Sequence, residues 1–148
     1  MAVDVDIDVS LLKSEIKKTY ACVSDEPERE FIFPTGRAWA EDLGYPSELA
    51  AVPNAAAESF AGVANPWELG RLESGERALD LACGAGADTL VAAQMIGPEG
   101  HVTGIDMTPE MLAKARSAAP ASGPTGTPLV RETIQVTTMS TFAIAPAA

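Results

Sequence analysis

The chain has 148 residues, 47% of them hydrophobic, enough for one soluble globular domain with a real core. A formal net charge of −11 arises from 21 acids against 10 bases. No stretch gathers lysine and arginine into the stripe that a phosphate backbone or an anionic bilayer requires, so neither nucleic acid nor membrane is an expected partner.

Taken from the amino terminus, residues 3–9 alternate Val3, Val5, Ile7 and Val9 with Asp4, Asp6 and Asp8. That is a strand period built from a poor strand former. Asp4, Asp6, Asp8 and Glu15 also fall at positions 1, 3, 5 and 12 of an EF-hand calcium loop. Val9 stands where that loop needs a glycine and no entering helix precedes it, so the segment reads as an acidic tail and no metal is expected. The start lacks the basic and apolar regions of a secretory signal. No apolar run approaches the ~18–20 residues of a bilayer span. Cys22 and Cys83 show no metal-type spacing, and two free thiols point to a cytoplasmic setting.

Ser10 predicts a helix cap, with Leu12, Ile16 and Tyr20 on one face of the helix that follows. Short helical pieces between breakers come next: Arg37 to Leu43, Ser47 to Ala51 and Asn54 to Ala61. Trp39 and Trp67 read as packing anchors of this lead-in, and Lys13, Lys17 and Lys18 as a solvated helix face. Residues 1–72 therefore form an acidic tail and an irregular helical lead-in.

Residues 73–119 change character. Arg77 to Ala82 predicts a buried strand, Cys83 to Ala87 a tight loop, and Asp88 to Ile96 a helix. A turn at 97–100 leads to a second strand, His101 to Asp106, and then to a helix capped by Thr108 with Pro109 at its first position. This is a βαβα unit with two parallel neighbouring strands. Residues 120–148 hold prolines at 120, 124, 128 and 146 and only two charges, a low-charge tail in which Ile134 to Ile144 suits one strand at most.

The chemistry concentrates in Leu79-Asp80-Leu81-Ala82-Cys83-Gly84-Ala85-Gly86. Glycines let backbone approach a bulky ligand, and the next helix offers amide donors at its start. Asp106, ending the second strand, is placed to accept both hydroxyls of a ribose. Dinucleotide sites want a third glycine, where this chain has Thr89, and they have no need of Asp80 inside the first strand. A nucleoside carrying cationic amino and sulfonium groups gives that acid a purpose. The nicotinamide reading is the minority one.

Asp80-Leu-Ala-Cys-Gly-Ala-Gly86 resembles motif I of class I S-adenosylmethionine-dependent methyltransferases. Val91 to Gly100 followed by His101-Val-Thr-Gly-Ile-Asp-Met-Thr-Pro-Glu-Met-Leu112 is similar to arsenite methyltransferases, the likeness running over roughly residues 35–119. The resemblance implies an α/β, Rossmann-like methyltransferase fold, here its N-terminal half with a helical lead-in. It implies S-adenosyl-L-methionine as cofactor and a small-molecule methyl acceptor. Asp80, Gly84 and Gly86 would line the methionine end, with Ala82 and Cys83 in the same loop. Asp106 would take the ribose hydroxyls and Met107 would pack on the adenine; no catalytic base is named.

The sequence departs from that family in two places. Arsenite enzymes carry a cysteine in a Gly-Cys-Gly-Asn-Pro stretch, and here Gly62-Val63-Ala64-Asn65-Pro66 has Val63 at that position. The family's later strands are not recognisable after Ala119, so the expectation is a truncated enzyme whose exposed sheet edge favours self-association. A non-catalytic remnant or interaction module is the alternative.

Overall fold

The computed structural model describes residues 8–119 and the backbone of 134–138. Helix α1 spans Val9–Asp25. Its cap is Asp8 and not Ser10: the Asp8 carboxylate accepts from the amides of Ser10 at 2.9 Å and Leu11 at 3.0 Å. A carboxylate there meets two orphan donors and the positive end of the helix at once, which a hydroxyl inside the first turn cannot do. The helix also outlasts the expected end at Tyr20, because its last turns bury Val23 and Ser24. Asp4 and Asp6, needed for the calcium pattern, lie outside the described residues, while Glu15 pairs with Lys18 on the surface.

The lead-in continues with α2 (Gly36–Asp42), a 3-10 turn at Ser47–Ala51, α3 (Asn54–Ala57) and a second 3-10 turn at Pro66–Leu69. Arg37 holds these pieces together, donating to the carbonyls of Leu49 at 2.7 Å and Val52 at 2.6 Å. Helix α3 stops four residues short of the expected Ala61. Phe60 turns inward there and meets Tyr45 edge to face at 5.0 Å, while its carbonyl accepts from the Gly36 amide. Burial of one aromatic ring outweighs a further helical turn of alanines.

The second half follows as β1 (Arg77–Leu81), α4 (Ala87–Ile96), β2 (His101–Asp106), α5 (Pro109–Ala118) and β3 (Ile134–Thr138). The strands form one parallel sheet in the order β1-β2-β3. Asp80 lies opposite Gly104, and Asp106 opposite Thr138. The βαβα expectation holds to within a residue at each boundary. A third strand does follow α5, occupying the first part of the Ile134 to Ile144 run; residues 139–148 are outside the described set.

The core sits between α4, the sheet and the lead-in. Leu90, Val91 and Ile96 of α4, Val102 of β2, Met111 of α5 and Val23, Val52 and Phe60 of the lead-in belong to one buried cluster. Each large side chain buried this way contributes about 1.5–3 kcal/mol. A polar tie crosses the same boundary, the Lys114 ammonium of α5 donating to Ser59 Oγ at 2.9 Å, while Ser59 donates to the Val23 carbonyl within the lead-in. The lead-in is thereby fixed against α5.

Candidate cofactor site

The C-terminal ends of β1 and β2 open onto a cavity of about 390 Å³. Its floor is the loop Ala82, Cys83, Gly84 and Ala85, with Ala87 and Asp88 at the start of α4. Asp106, Met107 and Thr108 close one side, Met111 stands beneath, and the lead-in supplies Ile16, Tyr20 and Phe60.

The loop is shaped by backbone geometry. Ala82 leaves β1 with φ +64°, a left-handed conformation that costs a non-glycine residue about 1–2 kcal/mol. Gly86 has φ +89°, and a Cβ placed on it would sit 3.1 Å from the Cβ of Ala115 on α5. Gly104 is the close-approach glycine of β2: a Cβ there would meet Thr89 Oγ1 at 2.9 Å and Cys83 Sγ at 3.0 Å. These glycines let the loop, the strand and α5 converge under the cavity.

Asp106 is anchored from both sides. Its Oδ2 accepts from the Gly84 amide at 2.9 Å and its Oδ1 from the Thr108 amide at 2.7 Å. Each carboxylate oxygen has a lone pair left over, and the residue lines the cavity. Two fixed amides thus hold the carboxylate in one orientation at the end of β2, the geometry that suits a pair of vicinal hydroxyls.

Asp80 sits elsewhere. Its Oδ2 accepts from the Thr89 hydroxyl at 2.6 Å, and it lines a second cavity of about 300 Å³ beside Trp67, Leu72 and Leu79. Burial raises its pKa above the ordinary carboxylate value, against the lowering effect of Thr89. Of the residues expected from sequence, the main cavity brings together Ala82, Cys83, Gly84, Asp106 and Met107. Asp80 and Gly86 do not line it: the first faces the neighbouring cavity and the second packs beneath the loop. Cys83 is buried, and burial pushes its thiol up to about 12, so it stays protonated.

Several wall residues were not anticipated. Asp88, at the second position of α4, lines both cavities. Its Oδ2 accepts from the Tyr45 hydroxyl at 3.1 Å, and the Trp67 indole N–H is a second donor directed at the carboxylate. Burial raises Asp88 to about 6, and burial together with the Asp88 charge raises Tyr45. The sequence signal for Asp88 is its place two residues after the Gly-x-Gly loop, at a helix start. Ile16, Tyr20 and Phe60 carry no such signal.

Among known proteins, residues 72–140 match the profile of a methyltransferase domain. An arsenite methyltransferase of Halobacterium salinarum is 43% identical over 95 residues, covering 64% of this chain and 22% of that protein. An aklanonic acid methyltransferase from a Streptomyces species is 46% identical over 50 residues, covering 34% and 23%. An arsenic(III) S-adenosylmethionine methyltransferase structure from Chlamydomonas reinhardtii superimposes with a TM-score of 0.52 at 32% identity, covering 72% of this chain and 32% of that one. The chain thus spans between about a fifth and a third of these relatives. In fold the chain is similar to the Rossmann-like methyltransferases, residues 72–140 match a methyltransferase domain, and S-adenosylmethionine is the cofactor that this similarity implies.

Proposed function

We propose that this chain binds S-adenosylmethionine in the cavity at the ends of β1 and β2, as the cofactor-binding portion of a methyltransferase acting on a small molecule. The observation that carries the reading is Asp106, held by two backbone amides with lone pairs to spare in the cavity wall. The donor set fits the cofactor: a cavity of about 390 Å³ lies in the size range of small-ligand sites, and its described wall holds carboxylates and no base. Bound there, S-adenosylmethionine supplies an electrophilic methyl group on a sulfonium.

The residues of the chain bind and position. Asp106 accepts the ribose hydroxyls, Met107 packs on the adenine face, and the Ala82–Ala85 backbone supports the methionine portion. Phe60, Tyr20 and Ile16 exclude water from above. Such a site accelerates transfer chiefly by orientation. The acceptor is a small molecule not gripped by thiolates of the described residues: Cys22 is off the cavity wall, Cys83 is held protonated, and Val63 is 91% exposed where the arsenite enzymes have their cysteine. Two free thiols support a cytoplasmic setting, and no helix among the described residues is long and apolar enough to cross a membrane.

Calorimetric titration of S-adenosylmethionine into wild-type chain and into Asp106→Ala tests the assignment. A loss of tenfold or more in affinity is expected, and an unchanged affinity rejects the ribose role. A second reading, an interaction module that retains the fold without activity, is favoured by one observation. Among the described strands β1 is an edge of the sheet, with Leu79 at 59% and Leu81 at 55% exposure.

A further inference from the structure

Asp106 and the glycine loop form one part of the cavity wall, and α1 forms another. Leu12, Ile16 and Tyr20 recur at every fourth residue of this helix and so share one face. Ile16 and Tyr20 line the cavity, while Leu12 is 46% exposed. Tyr20 is also the inner member of a row of rings. Phe33 stacks on it with centroids 6.0 Å apart, and Phe31 stacks on Phe33 at 5.8 Å. All three rings are only half-buried, and Ile32 between the two phenylalanines is fully exposed. The row thus joins the cavity wall to the surface, where a packing anchor would be covered on all sides. Phe60, Met107 and Met111 add further soft apolar wall.

The charges of the wall have one sign. Asp88 and Asp106 line the cavity, and no Lys, Arg or His does. Lys114 stands behind the wall, donating to Ser59. A ligand bearing a carboxylate or phosphate meets two acids there and no counter-charge.

We propose that Tyr20, backed by Phe33 and Phe31, is the platform on which the methyl acceptor stacks, and that this acceptor is a flat, uncharged aromatic molecule. The proposal rests on the cofactor reading above. Phe33 already holds the Tyr20 ring, so an incoming ring gains stacking with little loss of side-chain freedom. Tyr20 touches the body of the acceptor and not the transferred methyl, so it governs which acceptor is held.

Calorimetry at neutral pH, on wild-type chain kept saturated with S-adenosylhomocysteine, compares 2-naphthol with its saturated analogue decahydro-2-naphthol and with 2-naphthoate. Naphthol is expected to bind about fivefold or more tightly than the saturated alcohol, the worth of one ring–ring contact. It is expected to bind about tenfold or more tightly than naphthoate, which brings a like charge to the wall. Tyr20→Leu lowers naphthol affinity by about fivefold or more, whereas Tyr20→Phe, which keeps the ring, stays within about twofold of wild type. Binding of S-adenosylhomocysteine by each variant shows that it is folded; should Tyr20→Leu fail to bind it, the wild-type comparison of the probes decides. Absence of naphthol binding, equal affinity for the saturated alcohol or for naphthoate, or an unchanged naphthol affinity in folded Tyr20→Leu overturns the proposal and leaves the cofactor reading intact. Failure of folded wild-type chain to bind S-adenosylhomocysteine removes both.

Discussion

Asp88 holds its carboxyl at about 6 because burial disfavours the charge, and the sign of the resulting pH dependence follows. The folded chain binds this proton more tightly than the unfolded chain does. The associated stability is therefore complete below the ordinary value of 3.8 and is lost as pH rises through about 6. At pH 7–8 Asp88→Asn is expected to be more stable than wild type by on the order of 2 kcal/mol, the gap closing below pH 4. Denaturant melts across that range check it; a gap constant with pH contradicts the assignment of the shift to burial. Thr89 acts in the opposite sense on Asp80, supplying the hydroxyl that keeps a buried acid satisfied. Thr89→Val is expected to destabilise the chain by about 1–3 kcal/mol by leaving that acceptor unpaired. Denaturation at pH 7 measures it, and a neutral result would mean that water replaces the hydroxyl freely.

At the scale of elements, the convergence of the glycine loop, β2 and α5 depends on missing side chains. Gly104→Ala would place a methyl 2.9 Å from Thr89 Oγ1 and 3.0 Å from Cys83 Sγ, pushing the loop out of place under the cavity. The expected outcome is a loss of about 1–3 kcal/mol together with weakened cofactor binding. Unaltered binding in a folded Gly104→Ala chain would show that the loop position is not what shapes the site. Those elements were legible in the sequence because each carries its own local code: Gly97 after α4, Pro109 at the start of α5, apolar residues filling α4 and β2. The lead-in was less so. Asp8 outcompeted Ser10 as a cap, and α3 gave way to the inward turn of Phe60. The pairing of Tyr45 with Asp88 joins residues 43 apart, and nothing in local periodicity signals a contact of that kind. Asp80 follows the same limit: its place in the motif is legible in the sequence, while the cavity it lines beside Trp67 is a tertiary feature.

For the whole molecule, the lead-in and the βαβα unit share one buried cluster, so the cavity is formed only when both are folded. Exposed Leu79 and Leu81 on β1 leave an apolar strip at an edge of the described sheet. Such edges pair with other chains unless something protects them. Sedimentation velocity is expected to show concentration-dependent association that Leu79→Lys reduces; a monomer at all concentrations argues against the interaction-module reading. The measurement that bears most directly on the central claim is calorimetric titration of the folded wild-type chain with S-adenosylmethionine, with NADH as the comparison ligand. Saturable, one-to-one binding of S-adenosylmethionine and none of NADH is the predicted result. Binding of NADH, or no binding of S-adenosylmethionine by a folded sample, would contradict it.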